Sequence, residues 1–155
     1  MKNLYFILFL FISSITYGQT NFTNAGGDNL WSNAANWSGS VPNSATAKVQ
    51  IKADAVIVDG NYQVAQIKFP NAGGGGVIKT TFTNLNGGVL TITGKGVTQP
   101  VILALNSQEV IFNNPVVFES TDATETWRYN SGKQSITFGA GPVSYTHLRA
   151  HETKC

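Results

Sequence analysis

Short apolar segments recur along this chain every 6 to 14 residues or so, each closed by Asn, Gly, Pro or Asp. Lys48-Val49-Gln50-Ile51-Lys52 alternates polar and apolar residues, as a half-buried strand does. Val56-Ile57-Val58 runs into the turn pair Asp59-Gly60. Ala65, Ile67 and Phe69 alternate with Gln66 and Lys68, and Pro70-Asn71 stops them. Residues 77–83, 90–93, 101–105, 110–112, 116–118, 127–129 and 136–138 repeat the theme, and no amphipathic helix of useful length interrupts it. Short strands at this spacing specify an all-β sandwich, barrel or solenoid.

Two features favour the solenoid. The turns are mostly Asn and Gly without strict two-residue hairpin geometry, and Asn113-Asn114 has the look of corner asparagines that stack into ladders. A unit of roughly 20 to 25 residues for each pair or triplet of strands lies in the range of solenoid repeats. The expectation is the start of a right-handed parallel β-helix, or β-solenoid, over residues 48–141. An antiparallel β-sandwich is the alternative. A solenoid buries its core only between neighbouring coils, so its ends need caps. Residues 19–47 are expected to form the N-terminal one, because Trp31 and Trp37 carry enough ring area to cover an open core.

Both ends of the chain read differently from this middle. Lys2 precedes an apolar run from Leu4 to Ile12, which Ser13-Ser14 breaks. The run is roughly half the 20 or so residues that a membrane-crossing helix needs. Thr16-Tyr17-Gly18 then places small residues three before and one before a cut. This is the layout of a secretory signal peptide over residues 1–18, with cleavage between Gly18 and Gln19. No cysteine lies near the cut to carry a lipid anchor. At the other end, the run Val143-Ser144-Tyr145-Thr146-His147-Leu148-Arg149-Ala150-His151-Glu152-Thr153 resembles one reading frame of a transposase-type sequencing adaptor. Residues 142–155 are therefore expected to be a non-native tail, to be set aside in reasoning about fold.

Setting them aside changes the chemistry on offer. Both histidines, His147 and His151, and the sole cysteine, Cys155, lie in that tail. Between residues 19 and 141, Lys48, Lys52, Lys68, Lys79, Lys95, Arg128 and Lys133 balance Asp28, Asp54, Asp59, Glu109, Glu119, Asp122 and Glu125. Balanced charge argues against a nucleic-acid partner, which needs a basic footprint. It argues equally against a polybasic membrane-surface protein. Without His or Cys there is no zinc site and no Ser-His or Cys-His nucleophile. The Gly73–76 run lacks the Gly-Lys-Ser/Thr step of a phosphate loop, since Ile78 precedes Lys79. Asp28-Asn29 is too thin for calcium, which takes six to eight oxygens or so. The nearby carboxylate pairs, Asp54 with Asp59 and Glu109 with Glu119, sit at strand ends where solvated turn carboxylates are common. No catalytic residue, metal or cofactor is expected. Alternation puts Trp127 and Tyr129 on one face of a strand, opposite Arg128. That aromatic pair is the candidate glycan contact, with burial in the core as its competitor.

The pattern Trp31, Asn36-Trp37, Gly39, Val41-Pro42, then Val49-Gln50-Ile51, resembles the opening of secreted bacterial β-helix proteins. Phe112-Asn113-Asn114-Pro115-Val116 and Ser135-Ile136-Thr137-Phe138-Gly139 are similar to autotransporter-associated β-strand repeats. Gln19 after the cut is similar to exported proteins of the Bacteroidetes group, many of which end in a type IX secretion sorting domain. The export signal, the absent catalytic residues and the turn-rich repeats together point to an exported, non-catalytic structural or adhesin-like segment of a larger cell-surface or secreted protein. Its implied partner is extracellular glycan or other cell-surface material, with no membrane-spanning segment in the mature chain. The alternative is the N-terminal part of a polysaccharide-degrading enzyme or a glycan-binding module.

Overall fold

The computed structural model describes residues 18–70, 78–97, 101–104, 108–119, 135–139 and 143–146. Twelve short strands appear there: β1 (Thr20–Phe22), β2 (Lys48–Ile51), β3 (Ala55–Val58), β4 (Tyr62–Val64), β5 (Gln66–Phe69), β6 (Ile78–Asn84), β7 (Leu90–Ile92), β8 (Ile102–Ala104), β9 (Gln108–Phe112), β10 (Val116–Glu119), β11 (Ser135–Phe138) and β12 (Val143–Thr146). The one helical element among the described residues is a single 3-10 turn, Ala34–Asn36.

The strands sort into three sheets of four: β1-β2-β5-β8, β3-β6-β9-β11 and β4-β7-β10-β12. Every ladder between these strands is parallel. The chain visits the first, second and third sheet in turn, then begins again one level up. It is a β-solenoid, and the parallel ladders exclude the antiparallel sandwich. Three complete coils, β2-β3-β4, β5-β6-β7 and β8-β9-β10, lie between β1 and the pair β11, β12.

Val56, Phe82, Phe112 and Phe138 share one column of the second sheet, spaced 26, 30 and 26 residues apart. That is longer than the unit of roughly 20 to 25 residues expected from solenoid precedent. The reason is that each full coil holds three strands and three corners. The corners vary widely. Between β4 and β5 the corner is Ala65 alone, so Ala65 and Gln66 both turn inward and are buried.

The core is the inside of the coils. Val49, Val56, Val64, Ile67, Phe82, Leu90, Ile92, Val110, Phe112 and Val116 are buried, and each is the inward member of its strand's alternation. Their columns stack like on like. Phe82 and Phe112 lie 4.6 Å apart at 24°, and Phe112 and Phe138 lie 5.4 Å apart at 13°. Parallel strands are spaced by about 4.8 Å, so face-to-face rings in one column fall at stacking distance without strain. Burial fades towards the C-terminal level, where Ile136 and Phe138 are only partly covered.

The corners carry a second, polar ladder. Asn43 Oδ1 accepts the Gln63 N–H at 3.0 Å, and Asn61 Oδ1 accepts the Val89 N–H at 3.2 Å. The ladder role expected of Asn113-Asn114 thus falls to earlier asparagines. Asn113 is exposed, whereas Asn114 is buried and bonds only to the Pro115 carbonyl through its Nδ2.

Candidate functional site

The most built part of the molecule is the N-terminal closure. Residues 23–47 leave β1, cross beneath the coils and satisfy the lower edge of each sheet. On β1, the Ser38 N–H donates to Asn21 O, the Asn21 N–H donates to Ser38 Oγ at 2.9 Å, and Phe22 bridges Trp37. On β3, Leu30 bridges Ile57, with the Trp31 N–H donating to Ile57 O and the Ile57 N–H to Asn29 O. On β4, the Ser44 N–H donates to Gln63 O, and Asn43 takes the Gln63 N–H. An open strand edge is a template for pairing with another chain. Here the lower edges already have partners.

Aromatic rings fill the closure. Trp31 is 0% exposed and stacks on Tyr62 at 5.4 Å, while Trp37 meets Trp31 and Phe22 edge-on at 4.7 and 4.9 Å. A buried indole N–H needs an acceptor. Trp31 Nε1 donates to Pro42 O at 3.0 Å, and Trp37 Nε1 donates to Trp31 O at 2.7 Å.

Asn36 holds the same turn from inside. It is 0% exposed, donates to Asp28 Oδ1 at 2.7 Å and Leu30 O at 2.9 Å, and accepts the Gly26 N–H at 2.8 Å. Asp28 also accepts from the Asn33 side chain and the Leu30 N–H. The bond from Asn36, then those from Asn33 and Leu30, hold the Asp28 carboxyl below its ordinary range. Donors therefore occupy both carboxylate oxygens, which leaves Asp28-Asn29 ill-suited to a cation. The tight path uses left-handed backbone at Asn24 (φ 55°), Gly27 (φ 80°) and Asn29 (φ 60°), residue types that tolerate it.

A second carboxylate clamps the closure to the first coil. Asp59 accepts from the Ser32 N–H, the Ser32 hydroxyl and the Tyr62 hydroxyl. Partial burial alone would raise the Asp59 carboxyl, but the bonds from Ser32 and Tyr62 outweigh it and the net shift is downward. Burial, then the Asp59 charge, pushes the Tyr62 phenol up.

The carboxylate pairs of interest for glycoside chemistry are not brought together. Asp54 and Asp59 bracket β3, and five residues of strand span roughly 16 Å at about 3.3 Å each. That exceeds the roughly 5 to 9.5 Å between the carboxyls of glycosidases. Glu109 belongs to the second sheet and Glu119 to the third. Glu109 instead pairs with Lys79 at 3.5 Å, a surface contact worth about 0–1 kcal/mol.

Among the described residues, no group of three or more His, Cys, Asp or Glu side chains is placed to hold a metal. Trp127 and Tyr129, the candidate glycan contacts, lie outside the described residues, as do His147, His151 and Cys155. Gly18 and Gln19 stand just before the first strand. Sequence reasoning missed the pairing of Asp28 with Asn36 and that of Asp59 with Tyr62. The adjacent Asn36-Trp37 pair was visible, but its partner Asp28 lies eight residues back across a turn. Among the described residues, no helix is long and apolar enough to cross a membrane.

The second sheet also has an outer face among the described residues. It presents Thr81, Thr83, Ser135 and Thr137 around the Lys79–Glu109 pair. No family model, curated protein or solved structure matches the chain.

Proposed function

We propose that this chain is an exported, non-catalytic structural or adhesive β-solenoid, one segment of a larger cell-surface or secreted protein. The observation that carries the reading is the asymmetry of the stack. The closure seals all three lower edges, while burial of the ring column fades at the upper level through Phe138. A stack closed at its N-terminal end and built of repeated levels has the form of a rod-like repeat protein. The leader-like sequence of residues 1–18 supplies the export half of the reading, and the first strand begins after it, at Thr20. Hydroxyl-rich outer faces such as that of Thr81, Thr83 and Thr137 suit contact with glycan or other polar surface material.

Sequencing the gene onward from intact genomic DNA, with protease shaving of intact cells, tests this. Further coils ending in a surface-sorting or barrel domain, and loss of the protein on shaving, are the expected results. A compact catalytic domain downstream, or a protein resistant to shaving and retained in the cytoplasm, overturns it.

A further inference from the structure

The fold gathers charges that the sequence spreads evenly. Lys48 and Lys68 lie on the first sheet, Lys52 directly follows its strand β2, and Lys95 lies at the corner leading into it. Asn21, Gln50 and Lys68 share one outward column of that sheet, and Lys48 and Lys52 flank Gln50 two residues to either side. Lys52 still runs beside β1, because its N–H donates to Phe22 O. Strand spacing and rise put the Lys48 backbone about 8 Å from that of Lys68 and about 13 Å from that of Lys52. Lys48, Lys52 and Lys95 are exposed and Lys68 is half-buried.

No Asp or Glu stands on β1, β2, β5 or β8. Among the described residues the ion pair is Lys79 with Glu109, on the second sheet. Asp54, exposed at the corner after Lys52, makes no ion pair with it. Asp28 and Asp59 are held by amide and hydroxyl donors of the closure. A chain of balanced charge therefore carries one cationic sheet face.

We propose that the outer face of the first sheet docks a linear acidic polysaccharide, an inference that rests on the reading of the chain as an exported surface rod. Like charges on one sheet face repel, and a polyanion laid across them relieves that repulsion. Each contact is solvent-exposed and weak alone, so binding needs several lysines together and fades with salt. The amides of Asn21 and Gln50 lie between the ammonium groups, and each both donates and accepts, as sugar hydroxyls require. Single-stranded nucleic acid would ask for exposed rings to stack its bases. The rings on these strands, Phe22 and Phe69, are buried.

Chromatography of the full chain on immobilised alginate, with neutral dextran and duplex DNA as parallel matrices, tests the inference. The chain should be retained on alginate at low salt and released as salt rises towards about 1 M, where the Debye length shrinks to about 3 Å. The triple variant Lys48→Gln, Lys52→Gln, Lys68→Gln should bind alginate about tenfold more weakly. Lys79→Gln should bind as the wild type does. Matching thermal melts separate lost binding from lost fold, and the salt dependence of the wild type is a reading that needs no variant. No retention on alginate, retention indifferent to salt, equal retention of the triple variant, or equal retention on dextran overturns the proposal. Stronger retention on DNA assigns the face to nucleic acid and overturns it too. Each of these outcomes strikes the face alone, since export and the rod are decided by the gene sequence and by protease shaving.

Discussion

The buried amide of Asn36 donates to the carboxylate of Asp28 at 2.7 Å while its own oxygen accepts the Gly26 N–H. One side chain thereby closes a turn that places Trp31 and Trp37 beneath the first coil. Asn36→Ala removes three bonds of a buried side chain whose partners, Gly26, Asp28 and Leu30, are exposed or half-buried and can turn to water, so a neutral bond among them is worth about 0.5–1.5 kcal/mol. Asn36→Asp should be informative in another way. It sets a carboxylate against Asp28, so its stability should rise as mild acid protonates the pair, where the wild type holds steady. Urea melts at stepped pH measure this, and parallel profiles for the two proteins would contradict the geometry.

The pH dependence of the wild type follows from the same network. Asp28 and Asp59 have folded pKa values below their ordinary ones. Their stabilisation is present above the unfolded carboxylate value of about 3.9 and is lost as pH falls through the lower folded values. Tyr62 shifts upward. Its stabilisation is present below about pH 10 and is lost as pH rises through the higher folded value. Tryptophan fluorescence of the closure should therefore change at both extremes and stay flat between. Tyr62→Phe should remove the alkaline change and weaken the acid one only in part, since Asp59 loses one donor while its Ser32 bonds and the Asp28 cluster stay.

Phe112 has a ring stacked on each side in its column, Phe82 below and Phe138 above. Phe112→Ala should cost about 3–5 kcal/mol, a large part of the roughly 5–15 kcal/mol that holds a domain together. Phe112→Leu keeps most of the apolar volume and should lose about 0.5–1.5 kcal/mol of ring–ring interaction beyond the packing change. Chemical denaturation of the two variants checks the order.

Two neighbouring glycines should respond for different reasons. A Cβ on Gly88 would lie 2.1 Å from the Val58 carbonyl oxygen and 2.9 Å from the Gly60 nitrogen, both backbone atoms of the coil below. Gly87 faces open space, but its φ is +75°. Gly87→Ala should thus cost only the left-handed penalty, about 1–2 kcal/mol. Gly88→Ala must push two coils apart and should cost more. Thermal melts that rank them the other way would contradict the corner geometry.

Much of this architecture was legible because alternation survives in the longer strands. Val49 and Ile51, Val110 and Phe112, and Val116 and Phe118 all point inward as their spacing implies. The strands that escaped notice, Thr20–Phe22, Tyr62–Val64 and Val143–Thr146, are three or four residues long. At that length one inward side chain, such as Phe22 or Val64, cannot establish a period, and the ladder with a neighbouring coil defines the strand. Val143–Thr146 pairs along β10 although it lies in the adaptor-like tail. Its ladder bonds are made by backbone groups, which every non-proline residue carries. The polar closure was hidden for another reason. Asp28 with Asn36, and Asp59 with Ser32 and Tyr62, pair through a crossing beneath the coils, and no periodicity reports a crossing.

Asn114 offers the last test, because its sign is unusual. The residue is 1% exposed, and its Oδ1 is buried without a hydrogen-bond partner. Its Nδ2 donates to Pro115 O, an oxygen that also accepts the Leu90 N–H at 3.1 Å. Removing the amide therefore leaves Pro115 O satisfied and takes away an acceptor that costs about 1–3 kcal/mol to bury unpaired. Most buried substitutions destabilise, but Asn114→Leu should be neutral or stabilising, since leucine approximates the amide's shape without its polarity. A loss of more than about 1 kcal/mol in urea denaturation would mean that Oδ1 finds a partner in solution, most simply a water held between the third and fourth levels.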